Sequence, residues 1–192
     1  MKLLVFEQQK TTNLNEFINY WSQLYSYPNE NLYNNTIVKQ QYSIADIQNL
    51  YVWKNNMRLS APKQKSLESK IKAKLTIINT LKTIGDVDLN NFKKEFKNVS
   101  AVWKIFLLHS IKPNKYPIYD QHIHRAFLYI HNEDFSNISN DTIKDKAKET
   151  FYFERYVPYI ESINIIDLKK LDEAFFAFGQ FLNTRNYATL LC

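Results

Sequence analysis

Two glycines in 192 residues restrict this chain more than any other feature. Tight β-hairpins, phosphate-cradling loops and dinucleotide-binding turns all consume glycine, because they need positive φ or a close backbone approach. The chain accordingly carries neither a Walker loop nor a GxGxxG turn. Apolar residues instead recur at spacings of three and four, the period of helices that bury one face. The expectation is an all-α fold: an irregular bundle of about eight helices in one compact domain over residues 1–192. The 45% hydrophobic and 15% aromatic content suffices for its core.

The helix boundaries are written in caps. Asn13 with Glu16 opens a helix whose face is Leu14, Phe17, Ile18, Trp21, Leu24 and Tyr25, running towards Pro28. A polar, aromatic loop follows. Ser43 with Asp46 caps a second helix, ended at Lys54-Asn55-Asn56. Ser60 and Pro62 open a long helix with the stripe Leu67, Ile71, Leu75, Ile78 and Leu81, stopped by Gly85. Asp88 caps a short helix ending at Asn98, a residue type that tolerates left-handed backbone. The next helix spans 101–111 and stops at Lys112-Pro113, since the residue before proline avoids α geometry. Asp120 starts another helix, with Ile123, Phe127 and Ile130 inward. Further helices are expected over 141–157 and from Asp167, the latter with Leu168, Leu171, Phe175, Phe178 and Leu182 as its core stripe. Residues 1–6 read as a short strand or a tucked tail.

Composition excludes several function classes. The single cysteine, Cys192, cannot by itself build a disulfide, an iron–sulfur cluster or a zinc site. His122 and His124 stand two apart on a helix and diverge, so no metal is expected, and no other cofactor. The run Leu3-Leu4-Val5-Phe6 is too short for a signal core, and no apolar stretch is long enough to span a bilayer. The setting expected is cytoplasmic. A net charge of +6 and a pI near 9.2 suit a nucleic-acid partner, since lysines near phosphates release counterions. Spread lysines such as Lys63, Lys65, Lys70, Lys72 and Lys74 also read as a solvated helix face.

Residues 85–130 carry the pattern that points to chemistry. A short helix, the turn Asn98-Val99-Ser100, a helix, an extended proline segment and a helix capped by Asp120 follow in order. Asp120-Gln121-His122-Ile123-His124-Arg125 resembles the D-x-H-[IV]-x-R signature of the helix-hairpin-helix DNA glycosylases, the superfamily of the endonuclease III-like base-excision enzymes. Asn98-Val99-Ser100 stands where that family has a G-V-G hairpin. The resemblance implies DNA as partner, with Asp120 as the carboxylate that stabilises the developing sugar cation and positions or deprotonates water. It also implies that Asn98, Val99, Ser100 and Ala101 contact phosphate through backbone N–H groups, with Lys104 adding charge.

The chain departs from the family at three points. Val102, 18 residues before Asp120, replaces the Schiff-base lysine of bifunctional members. Both hairpin glycines are replaced, and the cysteines of a cluster are missing. The resemblance thus implies a monofunctional hydrolase or a relative that has lost catalysis.

Bland readings stand beside each assignment. Asp120 is also an ordinary N-cap. His122 reads as structural, Arg125 as pairing with a carboxylate or a carbonyl, and His109 as a satisfied core histidine. His124 faces solvent or a pocket. Trp53, with Lys54-Asn55-Asn56 and Arg58-Leu59-Ser60, is a pocket candidate for a flipped base or a plain helix end. Two alternatives remain open: a non-catalytic module on the same scaffold that binds nucleic acid or protein, and a helical interaction protein unrelated to DNA.

Overall fold

A computed structural model describes residues 11, 13–139, 141–163, 165 and 167–183. Residues 1–6 and Cys192 lie outside them. Every regular element among the described residues is helical. The expectation of one compact domain meets a chain that divides into two compact units. The first comprises Met1–Ser26, Asp120–Ile143 and Glu161–Cys192, the second Tyr27–Tyr119 and Lys144–Ile160.

The second unit opens with helices α2 (Glu30–Ile37) and α3 (Ile44–Asn55), then α4 (Ala61–Lys70), a 3-10 turn (Lys72–Lys74) and α5 (Leu75–Thr83). It continues through α6 (Leu89–Glu95), α7 (Ala101–Ile111) and α9 (Asp145–Phe151) to a π turn (Tyr152–Tyr156) that leads into α10 (Val157–Ser162). Its centre is α7, buried at Ala101 and at every position from Lys104 to Ile111. A helix buried all round must satisfy its polar side chains internally. His109 does so through both ring nitrogens, 2.7 Å from the Tyr33 hydroxyl and 2.7 Å from the Tyr116 carbonyl.

The first unit contains α1 (Leu14–Ser22), α8 (Gln121–Ile130) and α11 (Leu168–Leu182). Phe17 meets Phe175 and Phe178 edge-on, and Trp21 meets Phe178 and Phe181, so aromatic rings form this core. The stripe from Leu168 to Leu182 is buried as the spacing predicts. Gly179 serves a purpose that only the fold discloses. A Cβ there would lie 1.9 Å from the His122 carbonyl oxygen, so α11 presses directly onto the first turn of α8.

Several sequence expectations are corrected. The loop expected after Pro28 contains α2, whose Asn-rich sequence has weak helix propensity. Burial of Tyr33, Thr36 and Ile37 holds it, with Tyr33 lying 4.4 Å from the Trp53 ring. Helix α1 ends at Ser22, leaving Leu24 exposed. The long helix expected over 60–84 is interrupted at Ile71, where a 3-10 turn accompanies the burial of Lys72 on Gln48 and Glu68. The helix expected over 141–157 begins at Asp145 and runs to Ser162 through the π turn. Pro158 accounts for that wide turn, because it lacks an N–H and crowds the carbonyl four residues back. Left-handed backbone occurs at Asn29, Asn56 and Asn132 but not at Asn98.

Candidate active site

Asp120 ends the extended segment Pro117–Tyr119 and takes up β geometry at φ −149°, ψ 160°. Asp120 as a residue is partly exposed, and its Oδ1 accepts the His122 N–H at 2.9 Å. The same residue thus caps α8. Capping fixes the carboxylate's direction, since a free Asp rotor would sample other positions.

The residues after Asp120 brace that helix start. Arg125 is only 5% exposed. It donates to the carbonyls of Gly179 at 3.0 Å and Ile138 at 2.6 Å, and approaches His122 Nδ1 at 3.0 Å. A guanidinium only donates, so Nδ1 accepts and a neutral His122 ring carries its proton on Nε2. Burial lowers the Arg125 pKa from its ordinary value, and the nearby Asp120 charge opposes that shift. The His122 ring also packs edge-on against Phe176. His124, expected at solvent or a pocket, is buried at 6% exposure. Asp120, His122, His124 and Arg125 therefore belong together.

The hairpin candidates and Trp53 belong to the second unit. Asn98 and Ser100 are exposed, Val99 is buried, and the Val99 N–H closes the turn on the Phe96 carbonyl at 3.0 Å. Ser100 caps α7 by position but makes no side-chain cap bond. That vacant role goes to Asp145, whose Oδ2 accepts the Ala101 N–H at 3.0 Å from 44 residues away. Lys104, one turn on, is 6% exposed and pairs with Glu149 at 2.7 Å. Asp145 and Glu149 stand one helical turn apart on α9. Together they supply, at the start of α7, the negative charge that a phosphate would bring. The only sequence sign of this was a four-residue spacing of two carboxylates.

Val102, at the place of the family's lysine, is partly exposed. Trp53 is 4% exposed; its indole N–H donates to Glu30 at 2.9 Å, and its ring lies among Tyr27, Tyr33 and Phe106. It is a core residue of the second unit and not a surface for a base. Beside it in sequence, a cleft of about 570 Å³ is lined by Gln48, Val52, Arg58, Leu59, Ala61 and Gln64. Among the described residues no group of three or more His, Cys, Asp or Glu could hold a metal ion, and no helix is long and apolar enough to cross a membrane. No protein-family model, no curated protein and no solved structure matches the chain.

Proposed function

We propose that the protein is a cytoplasmic, DNA glycosylase-like hydrolase in which Asp120 directs water onto the sugar of an abnormal nucleotide. The observation that supports this reading is the capping carboxylate of the partly exposed Asp120 at the start of α8, a helix that Arg125 ties to the Gly179 carbonyl. As the C1′–N bond breaks, the base leaves with the bonding electrons. The sugar gains cationic character, which a nearby carboxylate stabilises. Water then bonds to C1′, and Asp120 takes up its proton. No lysine stands at position 102, so base release would proceed without a Schiff base. The second unit brings 19 lysines and arginines against nine aspartates and glutamates, a balance suited to phosphate.

A second reading, a non-catalytic module on the same scaffold, is favoured by one specific observation. Asp145 and Glu149 already engage the Ala101 N–H and Lys104, the two groups nominated for phosphate.

The discriminating measurement is base release from duplexes carrying oxidised, alkylated, deaminated or mismatched bases, with Asp120→Asn as control. Asn caps a helix about as well as Asp, so this variant removes the charge and keeps the fold. Abasic sites formed by the native protein and absent with the variant support catalysis. No release from any duplex, with salt-sensitive DNA binding retained, supports the binding module. No release and no binding at low salt would sink both.

A further inference from the structure

The cleft beside Arg58 holds a pair of amides whose hydrogen-bonding capacity is only half used. Gln48 on α3 and Gln64 on α4 both line it. Their side chains pair edge to edge: Gln48 Nε2 donates to Gln64 Oε1 at 3.0 Å, and Gln64 Nε2 donates to Gln48 Oε1 at 2.9 Å. One side of this pair is closed by an ion pair. Lys72 Nζ donates to Gln48 Oε1 at 2.6 Å, and Gln64 Nε2 donates to Glu68 Oε1 at 2.7 Å. Lys72 and Glu68 meet each other at 2.7 Å.

That ion pair fixes which way each amide faces. An ammonium only donates, so the Gln48 atom beside Lys72 is its oxygen. An ionised carboxylate only accepts, so the Gln64 atom beside Glu68 is its nitrogen. The hydrogen bond from Lys72 lowers the Glu68 pKa from its ordinary value, which keeps that carboxyl ionised. The side left over carries the second N–H of Gln48 next to the second lone pair of Gln64 Oε1. Among the described residues neither group has a hydrogen-bond partner. A donor nitrogen and an acceptor oxygen 3.0 Å apart thus form one open edge. Such an edge complements a planar group that carries an acceptor beside a donor.

The rest of the cleft adds apolar walls and a cation. Val52 and the buried Leu59 supply apolar surface. Arg58 is exposed, and among the described residues it makes no hydrogen bond or ion pair. Its guanidinium is a fork of N–H donors that matches phosphate. The volume, about 570 Å³, falls within the ~300–1,000 Å³ of small-molecule sites.

We propose that this cleft binds a nucleoside monophosphate, with the base edge on the Gln48–Gln64 pair and the phosphate on Arg58. Adenine meets the open edge with N1 as acceptor and its 6-amino group as donor, while its ring faces lie against Val52 and Leu59. One unpartnered cation suits one phosphate. The inference does not rest on catalysis at Asp120, which belongs to the other unit.

Isothermal titration calorimetry of the full-length protein with adenosine 5′-monophosphate tests it. Saturable binding is expected. It should be about tenfold weaker for adenosine, which lacks the phosphate, and about tenfold weaker for purine riboside 5′-monophosphate, which lacks the 6-amino donor. Gln48→Glu keeps an oxygen for Lys72 but removes the donor of the open edge, and should erase the preference for the 6-amino group. Arg58→Gln changes an exposed, unpartnered side chain and should erase the preference for the phosphate. The three ligands compared on the native protein decide the matter even where a variant loses stability. Asp120→Asn should bind the nucleotide as the native protein does, so failure here is distinct from failure of base release. No saturation up to about 1 mM nucleotide, equal binding of the three ligands, or preferences that survive both substitutions overturn the proposal.

Discussion

The two units of this protein carry opposite charge. The second holds 19 lysines and arginines against nine carboxylates, a net of +10; the first holds six against ten, a net of −4. The whole-chain value of +6 conceals this division. Asp120 belongs to the acidic unit, and the hairpin nominated for phosphate belongs to the basic one. Buried cations are also handled differently. In the first unit Arg125 is satisfied by main-chain carbonyls, an arrangement that depends on backbone approach. In the second, Lys72 and Lys104 are satisfied by carboxylate side chains. An acidic unit built on close backbone contact should be sensitive to shape, and a basic unit built on ion pairs should be sensitive to charge.

The largest effect should come from Gly179→Ala. The new methyl group meets the backbone of His122, which cannot swing aside as a side chain can. A loss of about 3–5 kcal/mol in denaturant unfolding is expected. A loss under about 1 kcal/mol would mean that the two helices separate easily. Arg125→Met keeps much of the stem's volume but strands two carbonyls, and should cost about 2–3 kcal/mol in the same assay. Because Asp120 lies at the braced helix start, this variant should also weaken any base release. A neutral result would argue that water replaces the guanidinium without penalty.

In the second unit the changes are smaller and electrostatic. Asp145→Asn keeps an oxygen for the Ala101 N–H but removes the charge at the start of α7. The expected cost is about 0.5–1 kcal/mol, together with tighter, more salt-sensitive DNA binding measured by fluorescence anisotropy. Weaker binding would show that Asp145 aids the nucleic-acid contact. The smallest effect is a pH dependence. The folded-state pKa of Lys82, about 8, lies below that of the unfolded chain, so burial of its charge is fully penalised below pH 8. Stability gains as pH rises from 8 towards 10, where the folded protein sheds a proton that the unfolded chain retains. Lys82→Gln should flatten that rise in thermal melts. An unchanged slope would assign it to another group.

Much of the architecture was written locally. Asn13, Ser43, Asp88, Asp120 and Asp167 cap the helices that their sequence context predicts, each accepting backbone N–H groups two or three residues on. Helix α7 ends where Lys112-Pro113 requires, and the α11 stripe is buried as its period demands. Caps and periodicity involve neighbours within a few residues, so composition and order settle them before the chain folds. Asp120 at a helix start is of this kind.

What distant segments do on meeting was not legible in the same way. Helix α2 persists through Tyr33 and Trp53 despite a sequence that reads as loop. Trp53 looks like a surface aromatic in sequence, yet the rings of Tyr27, Tyr33 and Phe106 enclose it. Asp145 reaches the start of α7 across 44 residues, and Arg125 finds carbonyls 13 and 54 residues away. Lys82 and Lys112 look like solvated charges until two helix ends bring them together. Local rules name the residues at the ends of helices; only packing brings those ends together, because charge, burial and close approach depend on neighbours that local order does not specify.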